Sequence, residues 1–385
     1  MPLPRVLLVN SSHPRGGIGR YARELDHALR ALSPPEFTVD LLLQNLPDRV
    51  DLADWQSPAA LDSPGRIRVQ PRPWWAKPTG YGTAYLINSH CYFPPRTPAG
   101  YDLYHFSSQM MGASVRYTRR AVLTVHDLVA IRLRTNHPAL STWLRRRHFA
   151  PLRKASGLVF VSEYSRRDFL SQFDYPEDRT TVVHHAVGDL FAPRDRLTSR
   201  ETLQLAPEQP VLLYIGSEER RKNVETLLEA LAVLVKVRPD LLLLRVGGGS
   251  SRSRRLIARL GLERHVRYLG GLSDTQLAAC YSAADLFVFP SYFEGFGFPV
   301  LEAMKSGCPV IAARATSVPE ILGDAGVLFE AMDSVALAQE VGALLDDPAR
   351  RTELGRRGMV RAAEFTWART ARQTADAYHR ALNAG

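Results

Sequence analysis

The chain has 385 residues, more than one hydrophobic core usually supports, so two domains of ordinary size are expected. With 45% hydrophobic and 23% charged residues it reads as a globular protein, which excludes a disordered or fibrous chain. Three scattered cysteines, Cys91, Cys280 and Cys308, exclude a disulfide framework, and the formal charge of +10 suits an anionic partner.

The start, Met-Pro-Leu-Pro-Arg, runs straight into a strand-like Val6–Val9 and lacks a signal-peptide pattern. No apolar run reaches the roughly 18 residues that span a bilayer, so a cytoplasmic location is expected. After the first strand comes Gly16-Gly17-Ile18-Gly19, where glycines let backbone approach a phosphate or sugar at a helix N-terminus. The same residues, as Gly17-x-Gly19-x-x-Ala22 with Asp40 downstream, also fit a dinucleotide fingerprint, which would make the chain an NAD(P)-dependent oxidoreductase. Against that, the loop from Val9 to Gly17 is long for the fingerprint's tight turn, and Asp40 opens a strand.

Further apolar runs predict strands at Thr38–Leu43, Leu103–Phe106, Ala121–Val125, Gly157–Val161 and Thr181–His184. Leu46 to Pro98 reads as an irregular, Pro-rich segment whose aromatics (Trp55, Trp74, Trp75, Tyr81, Tyr85, Tyr92) pack the loops or stack on sugar rings. Between Arg116 and Lys154 stand ten Lys/Arg against one acid, Asp127, with Trp143 and Phe149 among them. This is a solvated basic face or a surface for anionic lipid; no base-reading motif accompanies it, so nucleic acid is not expected. Ser162 and Ser165 fit a helix cap better than chemistry.

Gly188 and Pro193 mark a linker near Ala186 to Arg196. A second set of strands follows at Val211–Ile215, Leu241–Val246, Val266–Leu269, Leu286–Phe289, Pro309–Ala312 and Gly326–Phe329. Near-continuous apolar strands alternating with helices predict an α/β protein of two doubly wound Rossmann-like domains, 1–190 and 191–365, with the site in the cleft between them.

The second half carries the chemistry. Arg221 and Lys222 follow the strand ending at Gly216 and precede a helix, where a planar fork and a point charge can clamp a diphosphate. Their alternative is a charge cluster balanced by Glu218, Glu219 and Glu225. Gly247-Gly248-Gly249 after the next strand allow close backbone approach. From Ser291 the chain reads Ser-Tyr-Phe-Glu-Gly-Phe-Gly-Phe-Pro-Val-Leu-Glu, placing Glu294, a turn through Gly295, Phe296 and Gly297, and Pro299 at the first helical position. Amides of Gly297 and Phe298 there face a phosphate, and Glu302 in the first turn can accept from sugar hydroxyls.

That stretch resembles the Glu-x7-Glu signature of retaining glycosyltransferases of family 4, with Glu294 and Glu302 in the glutamate positions. The resemblance extends over most of the chain and is strongest from Val211 to Glu330. It implies the GT-B fold, with residues 366–385 crossing back to an acceptor-binding first domain and the second domain binding the nucleotide sugar. It casts Arg221 and Lys222 as phosphate ligands, Glu294 as a donor-sugar ligand and His126 as a neighbour of that sugar. The segment Arg267 to Leu272, including Leu269, is expected to meet the base through its backbone. Transfer with retention by front-face attack and without a metal is implied, no Asp-x-Asp or metal cluster being present. The Arg-Lys-Asn variant resembles a mannosyltransferase-rich subgroup, so GDP-mannose is the first donor expected and a UDP-sugar the second. The acceptor is a hydroxyl of a glycan or lipid-linked molecule, met at the inner face of the membrane. Arg220 and Ser217 depart from the family pattern, as does His184-His185-Ala186, where Asn-Gly is common; these histidines are not expected to be metal ligands. A nucleotide-sugar epimerase or hydrolase, and a non-catalytic sensor, are the alternatives on the same fold.

Overall fold

The computed structural model describes residues 2–12, 16–46, 67–71, 98–132 and 149–384. Two compact units are present, Met1–His185 with Thr366–Gly385, and Ala186–Phe365.

The first unit holds a seven-stranded sheet: β1 (Arg5–Asn10), β2 (Thr38–Leu46), β3 (Ile67–Pro71), β4 (Leu103–Phe106), β5 (Ala121–Val125), β6 (Gly157–Phe160) and β7 (Thr180–Val182). The order is β3-β2-β1-β4-β5-β6-β7 and every pairing is parallel. β4, β5 and β6 are buried along their whole length, as apolar strands covered on both faces must be. Helix α1 (Gly17–Arg30) buries Tyr21, Ala22, Leu25 and Leu29 at helical spacing. Helix α2 (Glu163–Leu170) starts where the Ser162 hydroxyl accepts from the Ser165 amide at 3.1 Å, the cap expected of that serine.

The second unit has β8 (Val211–Ile215), β9 (Leu242–Val246), β10 (Val266–Leu269), β11 (Leu286–Phe289), β12 (Val310–Ala313) and β13 (Val327–Phe329). They form a parallel sheet of order β10-β9-β8-β11-β12-β13. Its helices are α3 (Arg196–Thr202), α4 (Val224–Leu234), α5 (Ser251–Leu260), α6 (Asp274–Ala283), α7 (Phe298–Lys305), α8 (Val318–Leu322), α9 (Ser334–Asp346) and α10 (Pro348–Ala362). The last helix, α11 (Trp367–Asn383), belongs to the first unit. It lies on α1 and under β4–β6 through a stripe of Ala371, Thr374, Ala375, Tyr378 and Ala381, whose mostly small side chains let the backbone come close.

Two expectations need correcting. The segment read as irregular contains β3, an edge strand in register with β2 (Leu41 opposite Ile67, Leu43 opposite Val69). Arg-Ile-Arg-Val-Gln-Pro alternates rather than running apolar, as an edge strand can, and proline is tolerated at such an edge. The aromatics expected to serve the loops lie outside the described residues, as does Trp143. Phe149, counted with the basic surface, is instead buried and stacks on Phe173 at 5.8 Å.

Candidate active site

In a doubly wound sheet, ligands bind beyond the carboxyl ends of the strands where the strand order reverses. In the second unit that point lies between β8 and β11. The loop after β8 runs from Gly216 through a 3-10 turn at Arg220–Lys222 to Asn223, whose φ of 53° is left-handed, a conformation asparagine tolerates better than most residues. The Asn223 side-chain amide donates to the Pro290 carbonyl at 3.1 Å, and the Tyr292 amide donates to the Arg221 carbonyl at 2.9 Å. These bonds tie the β8 loop to the β11 loop, residues 290–297.

Across that seam the charged side chains meet. Lys222 Nζ donates to Glu294 Oε1 at 2.7 Å, and Arg221 Nη1 donates to Glu294 Oε2 and to the Phe293 carbonyl, both at 3.1 Å. The Ser291 hydroxyl lies 2.5 Å from Glu294 Oε1, and the Glu294 amide donates to Thr316 Oγ1 at 2.9 Å. The other edge of the Arg221 guanidinium meets Glu219, Nε to Oε2 at 2.8 Å. Burial would lift the Glu219 carboxyl, but Arg221, Ser217 and Lys222 together outweigh it and the net shift is downward. Glu294 thus meets both cations and Glu219 meets Arg221 as well, while the other two acids of the cluster pair elsewhere, Glu218 with Arg245 and Glu225 with Arg252.

Helix α7 begins at Phe298, with Gly297 as its N-cap at φ 101°. Pro299 is thus the second helical residue, not the first, and Glu302 lies just beyond the first turn. Glu302 is 3% exposed and accepts from the Tyr281 hydroxyl at 2.8 Å. Phe296 is buried against Phe298 and Phe365, so its backbone is what it can offer a ligand. The Gly295–Phe296 turn is held by the Ser317 hydroxyl, 3.0 Å from the Glu294 carbonyl and 3.1 Å from that of Phe296.

Gly247, at φ 125°, follows β9 so closely that a Cβ there would stand 2.4 Å from the Gly216 carbonyl oxygen. The loops carrying Gly216 and Gly247 thus touch backbone to backbone, which explains Gly247, while a Cβ on Gly216 would meet the Tyr214 hydroxyl and one on Gly248 would meet nothing. The Arg267 guanidinium donates to the carbonyls of Leu203 (2.9 Å) and Gln204 (3.2 Å) and its backbone lies inside the ladder opposite Leu244, so of the two residues Leu269 alone stands at the carboxyl end of β10.

One group was missed. Parallel register sets Tyr214, Arg245 and Tyr268 side by side on β8, β9 and β10. Arg245 is 1% exposed, its guanidinium 5.4 Å from the Tyr214 ring and 4.9 Å from the Tyr268 ring. It is ion-paired with Glu218, which also accepts from Ser250 Oγ (2.9 Å) and Ser253 Oγ (3.1 Å). An arginine inside Leu-Leu-Leu-Leu-Arg-Val was the available signal, since a charge in a central strand demands a partner. Glu218→Ala should cost about 3–5 kcal/mol by leaving that cation buried and uncompensated, read as a lower midpoint in urea unfolding.

In the first unit, Gly16 is the N-cap of α1 and Gly17, Ile18 and Gly19 form its first turn. Asp40 lies inside β2, opposite Leu7, and accepts from the Tyr101 hydroxyl at 2.5 Å. An acid far from the strand's carboxyl end cannot serve a ribose there, which removes the support for the dinucleotide fingerprint. His126 does stand at the carboxyl end of β5, but each of its polar groups is engaged inside the unit. Its amide donates to Gln109 Oε1 (3.1 Å), its carbonyl accepts from Ser165 Oγ (3.0 Å), Nε2 lies 2.8 Å from the Ser107 carbonyl and Nδ1 lies 3.3 Å from His185 Nε2. Burial pushes its imidazole down to about 4. Among the described residues no cluster of His, Cys, Asp and Glu could hold a metal ion.

A family model for glycosyl transferases group 1 matches residues 195–361, and one for glycosyltransferase family 4 matches residues 15–188. The chain is a family 4 glycosyltransferase. This family 4 enzyme is 31% identical over 382 residues to the O-antigen chain mannosyltransferase B of Escherichia coli, covering 95% of this chain and 96% of that one. It is 35% identical over 244 residues to a D-inositol 3-phosphate glycosyltransferase of Catenulispora acidiphila, covering 59% of this chain and 57% of that protein. Among solved structures it is similar to sucrose-phosphate synthase from Thermosynechococcus elongatus, with a TM-score of 0.80, 25% identity and coverage of 99% and 100% of the two chains. An Anabaena protein, HepE, solved with UDP and glucose, shares the fold with a TM-score of 0.73 at 19% identity, covering 98% of this chain and 99% of that one. Two parallel-sheet Rossmann-like domains of this kind make up the GT-B fold.

Proposed function

We propose that the enzyme moves a hexose, mannose first, from a nucleoside-diphosphate sugar to a hydroxyl of a glycan or lipid-linked acceptor, with retention and without a metal ion. GDP-mannose is the first donor and a UDP-sugar the second. The observation that carries this is the Arg221–Lys222 pair meeting Glu294 at the β8/β11 reversal, beside the N-terminus of α7. Departure of a diphosphate from an anomeric carbon builds negative charge on the leaving oxygens. Fixed cations and helix-end amides of Gly297 and Phe298 stabilise that charge. As the diphosphate takes the two cations, Glu294 exchanges them for donor-sugar hydroxyls, while Glu302 serves the hydroxyls nearest the nucleotide. The leaving phosphate helps deprotonate the acceptor. The mannosyltransferase relative supports mannose as the sugar.

Thermal-shift measurements against GDP-, UDP- and ADP-sugars test the donor, since a ligand bound only by the native state raises the melting point. GDP-mannose should give the largest shift, and transfer should persist in EDTA. A chain indifferent to all three would lose this reading.

We also assign Arg119, Arg120 and Lys154 of the basic stretch 116–154 to peripheral contact with an anionic membrane, whereas Arg132 of that stretch is ion-paired with Asp168 past the carboxyl end of β5. Arg119, Arg120 and Lys154 gather with Arg179 around one notch at the amino ends of β5–β7. Among the described residues no helix is long and apolar enough to cross a membrane, so contact would be electrostatic and salt-sensitive. Vesicles containing phosphatidylglycerol should carry the protein on flotation and neutral vesicles should not; equal behaviour with both would end the idea.

A further inference from the structure

His126 and His185 form a buried pair in the first unit, His185 following β7 and His126 following β5. Their contact is His126 Nδ1 to His185 Nε2 at 3.3 Å, and the Tyr21 ring packs against both, 5.2 Å from His126 and 4.5 Å from His185. The protons can be assigned from the partners. A carbonyl oxygen only accepts, so the 2.8 Å contact with Ser107 requires the proton of His126 on Nε2. Burial keeps that ring neutral, so its Nδ1 carries a lone pair, and His185 must then donate from Nε2.

We propose that His185 is a positioning residue for the transfer reaction, holding His126 in one tautomer and one orientation so that the 126–127 turn has a fixed place. The inference rests on the proposed transfer reaction and names a residue that sequence reasoning set aside. His126 is then a fixed part of its turn and not a proton acceptor, because both ring nitrogens are spent within the protein. Asn, which the family commonly carries at the position of His185, has a side-chain amide that can donate in the same direction; Leu fills the space and cannot donate.

The experiment compares His185→Leu and His185→Asn with the parent chain. In imidazole nitrogen spectra the parent should show His126 as the Nε2–H tautomer alone. His185→Leu should mix the tautomers and lower kcat/KM for the sugar nucleotide about 10- to 100-fold, as misplacement of a binding turn by about 1 Å does. His185→Asn should restore the single tautomer and most of the rate, whichever of the two variants melts higher. An unchanged His126 spectrum in His185→Leu would overturn the hydrogen bond, and a changed spectrum with unchanged transfer would overturn the positioning role. If the parent turned over no sugar nucleotide, the transfer reading would fail while the spectra still decided the hydrogen bond.

Discussion

Replacing Lys222 by Ala is expected to lower transfer about 100- to 1,000-fold, the usual loss when one fixed positive contact to a developing anion is removed. The effect should fall on turnover more than on folding. Glu294 keeps Arg221 as a partner at 3.1 Å and the Ser291 hydroxyl at 2.5 Å, so its carboxylate is not stranded. Lys222→Arg should recover only part of the rate, because a planar fork on a longer stem does not reproduce an ammonium seated 2.7 Å from Glu294 Oε1 and 5.4 Å from the Phe289 ring. Initial rates at saturating donor, with the melting temperature measured alongside, separate the two effects. Unchanged transfer in Lys222→Ala would remove Lys222 from its assigned role.

Acidification should unfold the first unit well before ordinary carboxylate chemistry would. Three of its histidines are buried and neutral. Burial, with His126 adding repulsion, pushes His105 down to about 3, and burial pushes His126 down to about 4. His185 is held well below its ordinary value by burial and then by His126, His184 and Arg20. The unfolded chain protonates each at about 6.5 and so binds more protons than the fold does. Their contribution to stability is present above that value and is lost as pH falls toward the folded pKa values. The slope is about 1.4 kcal/mol per pH unit for each ring, up to about 4 for three, against a total stability of about 5–15 kcal/mol. Urea unfolding at pH 7.5, 6 and 5 reads this directly. The wider network gives the rings no relief: His105 is held between Tyr378 on α11 (2.6 Å) and Thr124 (2.8 Å), and Thr124 also meets the Tyr21 hydroxyl at 2.8 Å. A slope below one proton between pH 6 and 5 would mean the rings charge within the fold.

Much of the fold was legible because each buried parallel strand must be apolar on both faces. Runs such as Leu241–Val246 and Leu286–Phe289 announce themselves for that reason. β3 escaped because an edge strand is buried on one face at most. The helix of the Glu-x7-Glu segment was legible from its glycines and proline, yet its start was misplaced by one residue, since the left-handed Gly297 is a property of the turn. Arg245 stood in plain view inside an apolar run. Its meaning depended on the register that sets Tyr214 and Tyr268 beside it and on a glutamate 27 residues away.

By itself the sequence determined the alternation of strands and helices, the two-domain parallel architecture, the basic and glycine-rich motifs of the proposed site, and the family. Those features are local: periodicity, turn chemistry and short motifs reside in neighbouring residues. Tertiary structure alone decided which carboxylate neutralises Lys222, where Asp40 falls relative to the strand ends, and that His126 is tied to a histidine 59 residues later. Ion pairs and tautomers are set by which side chains the sheet order brings within about 3 Å of each other. Strand order is a property of the folded chain that no short stretch of residues encodes.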